Sequence, residues 1–469
     1  MLFKAIFTNS VGTLVSRILG FIRDLLTASV LGANIYSDIF FVAFKFPNLF
    51  RRIVAEGAFT QTFLPTFTAS KHKTLFGSII FLKFMAFIIV FSILVTIFSY
   101  TFTKIFAFGF SEENILLAQD FVVINFYYLD FIFIVAFLST LLQCKNHFAT
   151  SAFSTALLNI ALIVALLISQ KMEKIDIVYY LSYAVLIGGF LQVITHYIAS
   201  KNRRLNRYFT FDFKLLKAKQ EIVEDDTKRF NRQFIPSVFG NSTAQISSFL
   251  DTFLASFLIT GSISYLYYAN RVFQLPLALF AIATSTALFP MVSKAIYKKE
   301  IDEAFKMLKK GFWFLAYLLF VSTIIGVIFS DEITKLLFER GEFSQNDSFN
   351  TSWALQMYLI GLIPFGLSRI FSLWLYSEHK QIVAAKIAAK SLIANIIFSL
   401  ILIYPMQHAG LALAGTIGGF ILFFLTIKEF GIDKFYEILK SVHLLYLTIL
   451  SIVVVVVSIF LKDLLHVYL

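Results

Sequence analysis

The sequence predicts an all-α polytopic membrane protein, and three observations support that class. Hydrophobic residues make up 58% of the 469 residues and charged residues only 14%, too few charges to cover the surface of a soluble protein of this length. The mean hydropathy is +0.80. Apolar runs of about 20 residues, long enough to cross a hydrocarbon core of ~30 Å, recur along the whole chain. The alternating segments of about ten residues that an outer-membrane barrel needs are absent.

The apolar runs predict thirteen transmembrane spans, six before and seven after the longest polar interruption. The first run lacks a small-residue cleavage site, so we expect a retained span and not a signal peptide. In chain order the spans are 8–32, 36–68, 76–102, 117–142, 150–170, 176–199, 231–260, 262–294, 311–330, 347–376, 381–404, 410–428 and 442–466.

These spans divide the chain into four parts. The prediction is an N-terminal lobe of six helices (1–200), a basic amphipathic cytoplasmic linker (201–230), a C-terminal lobe of six helices (231–430) and one further helix (431–469). A cluster of ten basic residues lies within 201–232, a pattern typical of an interfacial helix.

The distribution of lysine and arginine predicts the orientation. With a cytoplasmic N-terminus, 25 basic residues fall in inner connections and 6 in outer ones, as the positive-inside rule requires. The net charge of +12 then faces the anionic cytoplasmic leaflet, so a nucleic-acid partner is not needed to explain it.

A weak internal repeat relates the two predicted lobes, with chance similarity of apolar sequence as the alternative. One matched pair consists of the segments TFLPTFTASK and TALFPMVSKA, which contain Pro65 and Pro290. Because an even number of spans separates the copies, the lobes are predicted to be parallel repeats. Transporters built this way bind their substrate between the two lobes and move it by a rocking motion of one lobe against the other. The other matched pairs are Asp24 with Asp251, Gly32 with Gly261, and Pro47 with Pro276.

Basic residues inside the apolar runs are the strongest functional signal. Lys83, Arg369 and Lys390 lie near cytoplasmic ends, where a long side chain can reach the interface. Arg23 and Arg271 lie deeper, about 13–15 Å from the outer ends of their helices at 1.5 Å per residue. All nine are Arg17, Arg23, Lys45, Arg51, Arg52, Lys83, Arg271, Arg369 and Lys390.

Two explanations of the deep arginines stay open from the residues alone. A charge at such depth costs at least ~2.5–3.5 kcal/mol and needs a partner or a wet cavity. The first explanation is internal pairing with Asp24, Asp38, Glu56 or Asp251. The second is an anionic ligand, because a guanidinium cannot be deprotonated and its planar fork suits phosphate or carboxylate.

Sequence motifs favour transport over catalysis. The H-E-x-x-H, G-x-S-x-G and Walker A motifs are absent, so the chain is predicted not to be an enzyme. A single cysteine, Cys144, excludes an intramolecular disulfide, and no spacing suggests a metal site. We therefore expect no cofactor, with transport coupled to the membrane potential, to an ion gradient or to an upstream synthesis step.

Three segments resemble one protein family closely. Ser16–Phe67 contains S-R-I-L-G-F-I-R-D, D-I-F-F-V-A-F-K-F-P-N-L-F-R-R and A-E-G-A-F, and the resemblance continues in Gly261–Phe280 and Leu337–Asp347. Together they resemble the MurJ/MviN family, the lipid II flippases of the multidrug/oligosaccharidyl-lipid/polysaccharide exporter superfamily. The resemblance implies a two-lobe helical bundle in the bacterial cytoplasmic membrane, with alternating access.

The resemblance also implies a substrate and a site. The substrate is lipid II, undecaprenyl-pyrophosphate-linked disaccharide pentapeptide, and the partners are membrane lipids and the wall-synthesis machinery. The family's central-cavity residues fall on Arg17, Arg23, Arg51, Arg271, Asp38 and Ser264, with Asp24, Arg52, Glu56 and Asn270 in supporting positions.

The sequence departs from the family in three places, one of which is Tyr376–Lys386, where the T-P that usually follows the tenth span is missing. Asn270 stands where the family has an aspartate before the arginine of its Y-A-D-R segment. The family has fourteen spans with a lipid-tail groove on the last two, whereas only one span fits after Phe430 here. The alternatives are an exporter of another polysaccharide-linked lipid or small molecule, and a non-transporting scaffold for wall synthesis.

Overall fold

The computed structural model describes the backbone of residues 2–208, 210 and 212–468, and within these the side chains except those of 2–7, 9, 10, 54–56, 239–241, 243, 244 and 466–468. In this part of the chain every regular element is a helix, which confirms the predicted class. The helices form two compact units, Met1–Gly261 and Ser262–Leu469.

The first unit contains eleven α-helices in its described part, with a π-helix at Arg51–Phe59 and short 3₁₀ turns at Leu205–Tyr208 and Gln220–Val223. The α-helices are α1 (Leu2–Leu31), α2 (Ile35–Phe50), α3 (Thr60–Ala69), α4 (Lys73–Ile97), α5 (Ser99–Phe106), α6 (Glu112–Phe126), α7 (Tyr128–Gln143), α8 (Ala149–Ser169), α9 (Lys174–Asn202), α10 (Phe213–Ala218) and α11 (Glu224–Ala255).

The second unit contains nine α-helices in its described part and a π-helix at Leu277–Ile282. Helix α18 is sharply kinked at Gln407, whose φ is 48°. The α-helices are α12 (Ser262–Pro276), α13 (Ala283–Tyr297), α14 (Ile301–Ile328), α15 (Ser330–Phe338), α16 (Gln345–Ile360), α17 (Leu362–Ser377), α18 (Gln381–Phe430), α19 (Ile432–Leu439) and α20 (Val442–Tyr468).

Each predicted span falls on a helical segment of this structure. Two of the thirteen, 381–404 and 410–428, are the two arms of α18 around its kink. Among the described residues, nine helical segments are long and apolar enough to cross a membrane. The chain is therefore a multi-pass protein, while the exact number of spans stays a prediction.

Helix α11 packs with the first unit. It contacts α3 and the π-helix Arg51–Phe59, so the compact units divide after Gly261. Compactness alone does not say which helices move together, and the predicted division into lobes at residues 200, 230 and 430 stays a prediction.

The linker segment alternates buried apolar and exposed basic residues. Leu205, Leu216 and Val223 are buried, whereas Lys214 and Lys217 are exposed. The short helices therefore lay an apolar side on the first unit and keep their charges outside.

The predicted repeat is visible in the backbone of the two units. Pro47 precedes the π-helix Arg51–Phe59, and Pro276 directly precedes the π-helix Leu277–Ile282. A proline has no N–H and its ring crowds the carbonyl one turn earlier, so the helix must change its hydrogen-bond register nearby. A proline followed by a π-helix at matching places in both units supports an internal duplication of the chain.

A second matching feature, a serine-capped helix that ends in a break, lies further along each unit. Ser111 caps α6 by accepting from the Asn114 N–H at 3.3 Å, and Ser344 caps α16 by accepting from the Asp347 N–H at 3.2 Å. Each capped helix breaks about sixteen residues later, α6 giving way to α7 and α16 to α17. The repeat therefore extends beyond the segments in which the sequence shows it.

Candidate functional site

Arg23 is buried in the first unit and is held by two polar side chains. It is 8% exposed, and Asp24 is 2% exposed. Arg23 Nε and Nη2 donate to Asp24 Oδ1 at 3.1 and 2.5 Å, and Nη1 donates to Asn159 Oδ1 at 3.0 Å. Charge-assisted bonds of this kind are about twice as strong as neutral ones, so the guanidinium is fixed in an apolar bundle.

Helix α8 supplies the third member of this Arg23 cluster, which comprises Arg23, Asp24 and Asn159. Helices α1 and α8 pack closely, and a Cβ added at Gly20 would lie 3.4 Å from Asn159 Nδ2. That nitrogen donates to the Ser16 carbonyl at 2.9 Å. The amide therefore bridges the α1 backbone and the arginine, and its orientation is set because Arg23 can only donate.

Arg17 lies on the same helix in a different environment. Its side chain is exposed, and within the described part of the chain it forms no hydrogen bond or ion pair. Arg23 is therefore a structural anchor as well as a candidate ligand-binding residue, whereas Arg17 keeps its donors available.

The predicted residues Arg51 and Arg52 begin the first π-helix. Arg51 is half-buried and Arg52 is exposed. Arg51 lines a polar cavity of about 210 Å³ within the first unit. The side chain of Glu56 lies outside the described residues, so its predicted supporting role stays a prediction.

Asp38 lies in the first turn of α2 and binds the backbone at the end of the first unit. A capping box formed by Asn34 and Ser37 starts the helix. Asp38 is 2% exposed, and its Oδ2 accepts from the Gly261 N–H at 2.7 Å. On the same helix, Lys45 Nζ donates to the Thr252 hydroxyl of α11. Helix α2 therefore holds both α11 and Gly261, which lies six residues beyond the end of α11.

The predicted residues of the second unit lie together on α12. Ser264 is fully buried, and Asn270 accepts from the Gln274 amide one turn later. Arg271 is half-buried, its Nη2 donates to the Tyr267 hydroxyl at 2.7 Å, and its guanidinium carbon lies 4.7 Å from the centre of the Tyr267 ring. A hydroxyl and an aromatic face help to orient this guanidinium.

Sequence reasoning identified the arginines but missed the residues that orient them. Asn159, Thr252 and Tyr267 were not predicted. A signal existed for Asn159, an amide in the middle of the apolar run 150–170, because a polar residue inside a membrane helix needs a partner.

Metal binding has no support in the described part of the chain, where no group of three or more His, Cys, Asp or Glu residues is placed to hold a metal ion. The polar residues that the structure does bring together are suited to hydrogen bonding of an anion or of each other.

The fold defines the class of protein. It matches a solved inward-facing multidrug resistance transporter of the MATE family and MOP superfamily with a TM-score of 0.67 at 11% identity, over 93% of this chain and 99% of that one. It matches a solved lipid II flippase MurJ in an inward closed conformation with a TM-score of 0.78 at 25% identity, over 97% and 99%. The chain thus has the fold of a multi-pass membrane transporter.

Sequence comparison then gives the family. The model of "Lipid II flippase MurJ" matches residues 27–469. A probable lipid II flippase MurJ of Helicobacter pylori (strain 26695) is 48% identical over 422 residues, 88% of this chain and 92% of the relative. One from Buchnera aphidicola subsp. Baizongia pistaciae is 32% identical, over 92% and 84%. The chain belongs to the lipid II flippase MurJ family, whose members are proteins of the bacterial inner membrane.

Proposed function

We propose that this protein flips lipid II from the cytoplasmic to the outer leaflet of the bacterial cytoplasmic membrane. The observation that carries the proposal is the Arg23 cluster, a charged network buried inside an apolar helix bundle that belongs to the MurJ family. A buried arginine is costly in a membrane and is a functional-site hypothesis by default.

The chemistry of the substrate matches the residues. A pyrophosphate diester carries two negative charges, and a guanidinium can bind phosphate oxygens through two parallel hydrogen bonds. Arg17 is exposed and has no hydrogen-bond or ion-pair partner among the described residues. The guanidinium of Arg271 is half-buried and donates to the Tyr267 hydroxyl. We propose that Arg17, Arg23, Arg51 and Arg271 bind the pyrophosphate, while the prenyl chain stays in lipid.

Alternating access provides the mechanism. The likeness to an inward closed MurJ structure supports a protein that takes its substrate from the cytoplasmic side. Asp38 holds the Gly261 N–H immediately before the chain enters the second unit, so we propose that this contact sets the position of the joining peptide. The inside-negative potential favours outward movement of an anion by ~2.3 kcal/mol per charge per 100 mV.

We propose a cytoplasmic N-terminus and linker, because the basic residues concentrate in the connections on that side. In this arrangement the protein performs no covalent chemistry on lipid II, and the wall-synthesis enzymes that consume lipid II act on it after it has crossed the membrane.

The test is complementation of bacteria depleted of their own flippase, combined with an assay of the leaflet that contains lipid II. We expect Arg23→Ala and Arg271→Ala to insert normally and to leave lipid II in the inner leaflet. Lys83→Ala is the matched control, since Lys83 is exposed on α4 and is expected to restore growth. Full rescue by both arginine variants contradicts the binding mechanism.

The same assay separates the alternatives. If the protein is a scaffold, variants in which the arginines are replaced by glutamate still restore growth. If it exports a different lipid, lipid II stays in the inner leaflet even in cells that contain the wild-type chain. Either result contradicts the proposed function.

A further inference from the structure

Asp130 is a carboxyl group in the middle of an apolar helical segment of the first unit. It lies in the first turn of α7, within the segment Glu112–Gln143, which is long and apolar enough to cross a membrane. The nearest formal charges along the chain are Asp120, ten residues before, and Lys145, fifteen residues after. At 1.5 Å per residue these lie about 15 and 22 Å away, so the segment itself supplies no ionic partner.

Hydroxyl groups of α4 and α7 lie beside this carboxyl and form a seam that comprises Ser92, Thr96, Tyr127 and Asp130. The Ser92 hydroxyl, which is almost completely buried, donates to Asp130 Oδ1 at 3.1 Å. One turn along α4, the Thr96 hydroxyl lies 3.0 Å from the Tyr127 hydroxyl, and at Tyr127 α6 gives way to α7. Among the described residues, Asp130 therefore has an uncharged hydroxyl as its side-chain partner.

The surface next to the seam is apolar. Val90, Ile93 and Ile97 of α4 are exposed, as expected for side chains that face lipid in a membrane-spanning helix. Asp130 is half-buried, so its carboxyl is reachable from outside the bundle. An ionised carboxylate in such surroundings is strongly disfavoured, and the group takes up a proton instead.

The helices on either side of the seam do not supply a cation. The nearest basic residue of α4 on the cytoplasmic side is Lys83, nine residues before Ser92 and about 13 Å away along the axis. Helix α9 approaches α7 at Gly189, where an added Cβ would meet Tyr128 and Phe131. The nearest charged residues of α9 are twelve or more residues from that glycine, Lys174, Asp176 and Lys201.

The other elements that pack against α7 place their charges elsewhere. Helix α3 contains no charged residue, and Lys45 of α2 donates to the Thr252 hydroxyl. On the π-helix Arg51–Phe59, Arg51 lines the polar cavity together with Ile132 and Val135. At 3.6 residues per turn, these two positions lie at least about 120° around α7 from Asp130. In the described part of the chain, Tyr127 is thus the titratable neighbour in the seam.

We propose that Asp130 is a proton-binding site inside the membrane, where the carboxyl is neutral at physiological pH and exchanges its proton with the surroundings. Uptake converts the carboxylate and one proton into a carboxylic acid, whose second oxygen still accepts from Ser92. Release leaves a negative charge in the seam between α4 and α7. A proton gradient can act on the first unit through this group, whether or not the chain flips lipid II.

The experiment is labelling of the purified full chain in nanodiscs with dicyclohexylcarbodiimide, followed by mass spectrometry of its peptides. This apolar reagent enters the lipid and reacts with the protonated carboxyl, whose O–H adds across one C=N bond before the acyl group moves to nitrogen, so no atom leaves. Asp433 is the internal control, since it is exposed on α19 in the second unit.

We expect Asp130 to be labelled at least about tenfold faster than Asp433, because the cost of a charge in the membrane favours the neutral acid. Infrared spectroscopy measures the same proton without a reagent. The carbonyl band of a protonated carboxylic acid should weaken as the pH is raised and should be smaller in Asp130→Asn, which keeps an acceptor for Ser92. Asp433→Asn should leave the band unchanged. Both measurements on the wild-type chain remain decisive if Asp130→Asn fails to fold.

Three results overturn the proposal. Labelling of Asp130 no faster than that of Asp433 shows an ionised carboxylate in contact with water. An infrared band that is the same at every pH shows a fixed proton that does not exchange. Protection of Asp130 from the label by sodium but not by choline shows that the seam oxygens bind a metal cation. Because lipid II takes no part in these measurements, their outcome is independent of the complementation test of the proposed function.

Discussion

The two units share the same backbone features, but the side chains around Arg23 and Arg271 differ. In the first unit Arg23 is almost fully buried and bonded to a carboxylate and an amide. In the second unit Arg271 is half-buried, with a tyrosine hydroxyl and ring beside it. Both arginines lie about 13–15 Å along the helix axis from a glycine, Gly32 or Gly261.

The difference separates what the duplication copied from what diverged. Proline-linked π-helices, serine caps and mid-helix breaks occur in both units, because they set the bends of the bundle. The side chains in contact with the arginines differ: a carboxylate and an amide at Arg23 and a tyrosine at Arg271. A fixed guanidinium gives a constant local field, whereas one that rests on an aromatic face can change its partner at small cost.

The largest expected effect is on the stability of the first unit. Asp24→Asn leaves a buried guanidinium without its counter-charge, a change that costs about 3–5 kcal/mol. Tyr267→Phe keeps the ring beside Arg271 and removes one hydrogen bond, at a cost of about 1–2 kcal/mol. Thermal unfolding in detergent measures both, and equal losses contradict the distinction between the two arginines.

A double variant separates stability from function at the same place. Arg23→Met with Asp24→Leu replaces the pair by apolar groups and should recover most of the stability lost in Asp24→Asn. It should still fail to restore wall synthesis in depleted cells. Restored growth would show that Arg23 acts only in folding.

The second prediction concerns two buried asparagines on apolar helices, Asn159 on α8 and Asn395 on α18. Asn159 accepts from Arg23, while Asn395 accepts from the Ser399 hydroxyl at 3.1 Å. Asn159→Ala should cost about 1.5–3 kcal/mol, since a charged donor loses its acceptor, and Asn395→Ala about 0.5–1.5 kcal/mol. Unfolding midpoints compare them, and a larger loss for Asn395→Ala reverses the expectation.

The third prediction compares two glycines. A Cβ at Gly109 would overlap the Phe257 backbone, which cannot rotate away, while Gly415 has no atom within 4 Å of the added carbon. Gly109→Ala should therefore lose about 1–3 kcal/mol. Gly415→Ala in helix α18 should gain up to about 1 kcal/mol. Similar unfolding temperatures for the two variants contradict this.

The smallest expected effect is a pH dependence confined to the first unit. Burial, and then the nearby Arg203 charge, lower the pKa of His147, whose Nδ1 accepts from Arg203 Nη2 at 2.7 Å. The neutral ring is favoured in the folded state, so its contribution is present above the unfolded pKa of about 6.5. It is lost as the pH falls from that value through the lowered folded pKa.

Lys380 provides the contrast in the second unit. Its hydrogen bond to Glu378 raises the lysine pKa above its ordinary 10.5, so it does not titrate between pH 7.5 and 5.5. We expect a slightly lower unfolding temperature at pH 5.5 than at pH 7.5, and no such difference in His147→Asn. A difference that persists in the variant assigns the effect elsewhere.

Much of the fold followed from local pattern. The apolar runs predicted helices that the structure contains. The depth of Arg23 and Arg271 in the membrane, counted along a helix, stays a prediction. The family's substrate followed from the motifs in Ser16–Phe67.

The partners of the arginines could not be predicted, for physical reasons. Asn159 lies 136 residues from Arg23, and which faces of α1 and α8 meet depends on packing of the whole unit. Adjacent residues on a helix point about 100° apart, so nothing in the sequence required Arg23 to fold back onto Asp24. The sequence left pairing and ligand binding as alternatives, and for Arg23 the structure shows pairing.

The two π-helices are places at which the two halves of the chain can come to differ in length. A π-turn holds one residue more than an α-turn, so an insertion or deletion can be absorbed there while the helix stays continuous. The first segment spans nine residues and the second six. Pro47 and Pro65, which flank the first π-helix, are eighteen residues apart, whereas Pro276 and Pro290, which flank the second, are fourteen residues apart. An evolutionary alignment of the halves therefore needs its gap at a site where the fold tolerates length variation.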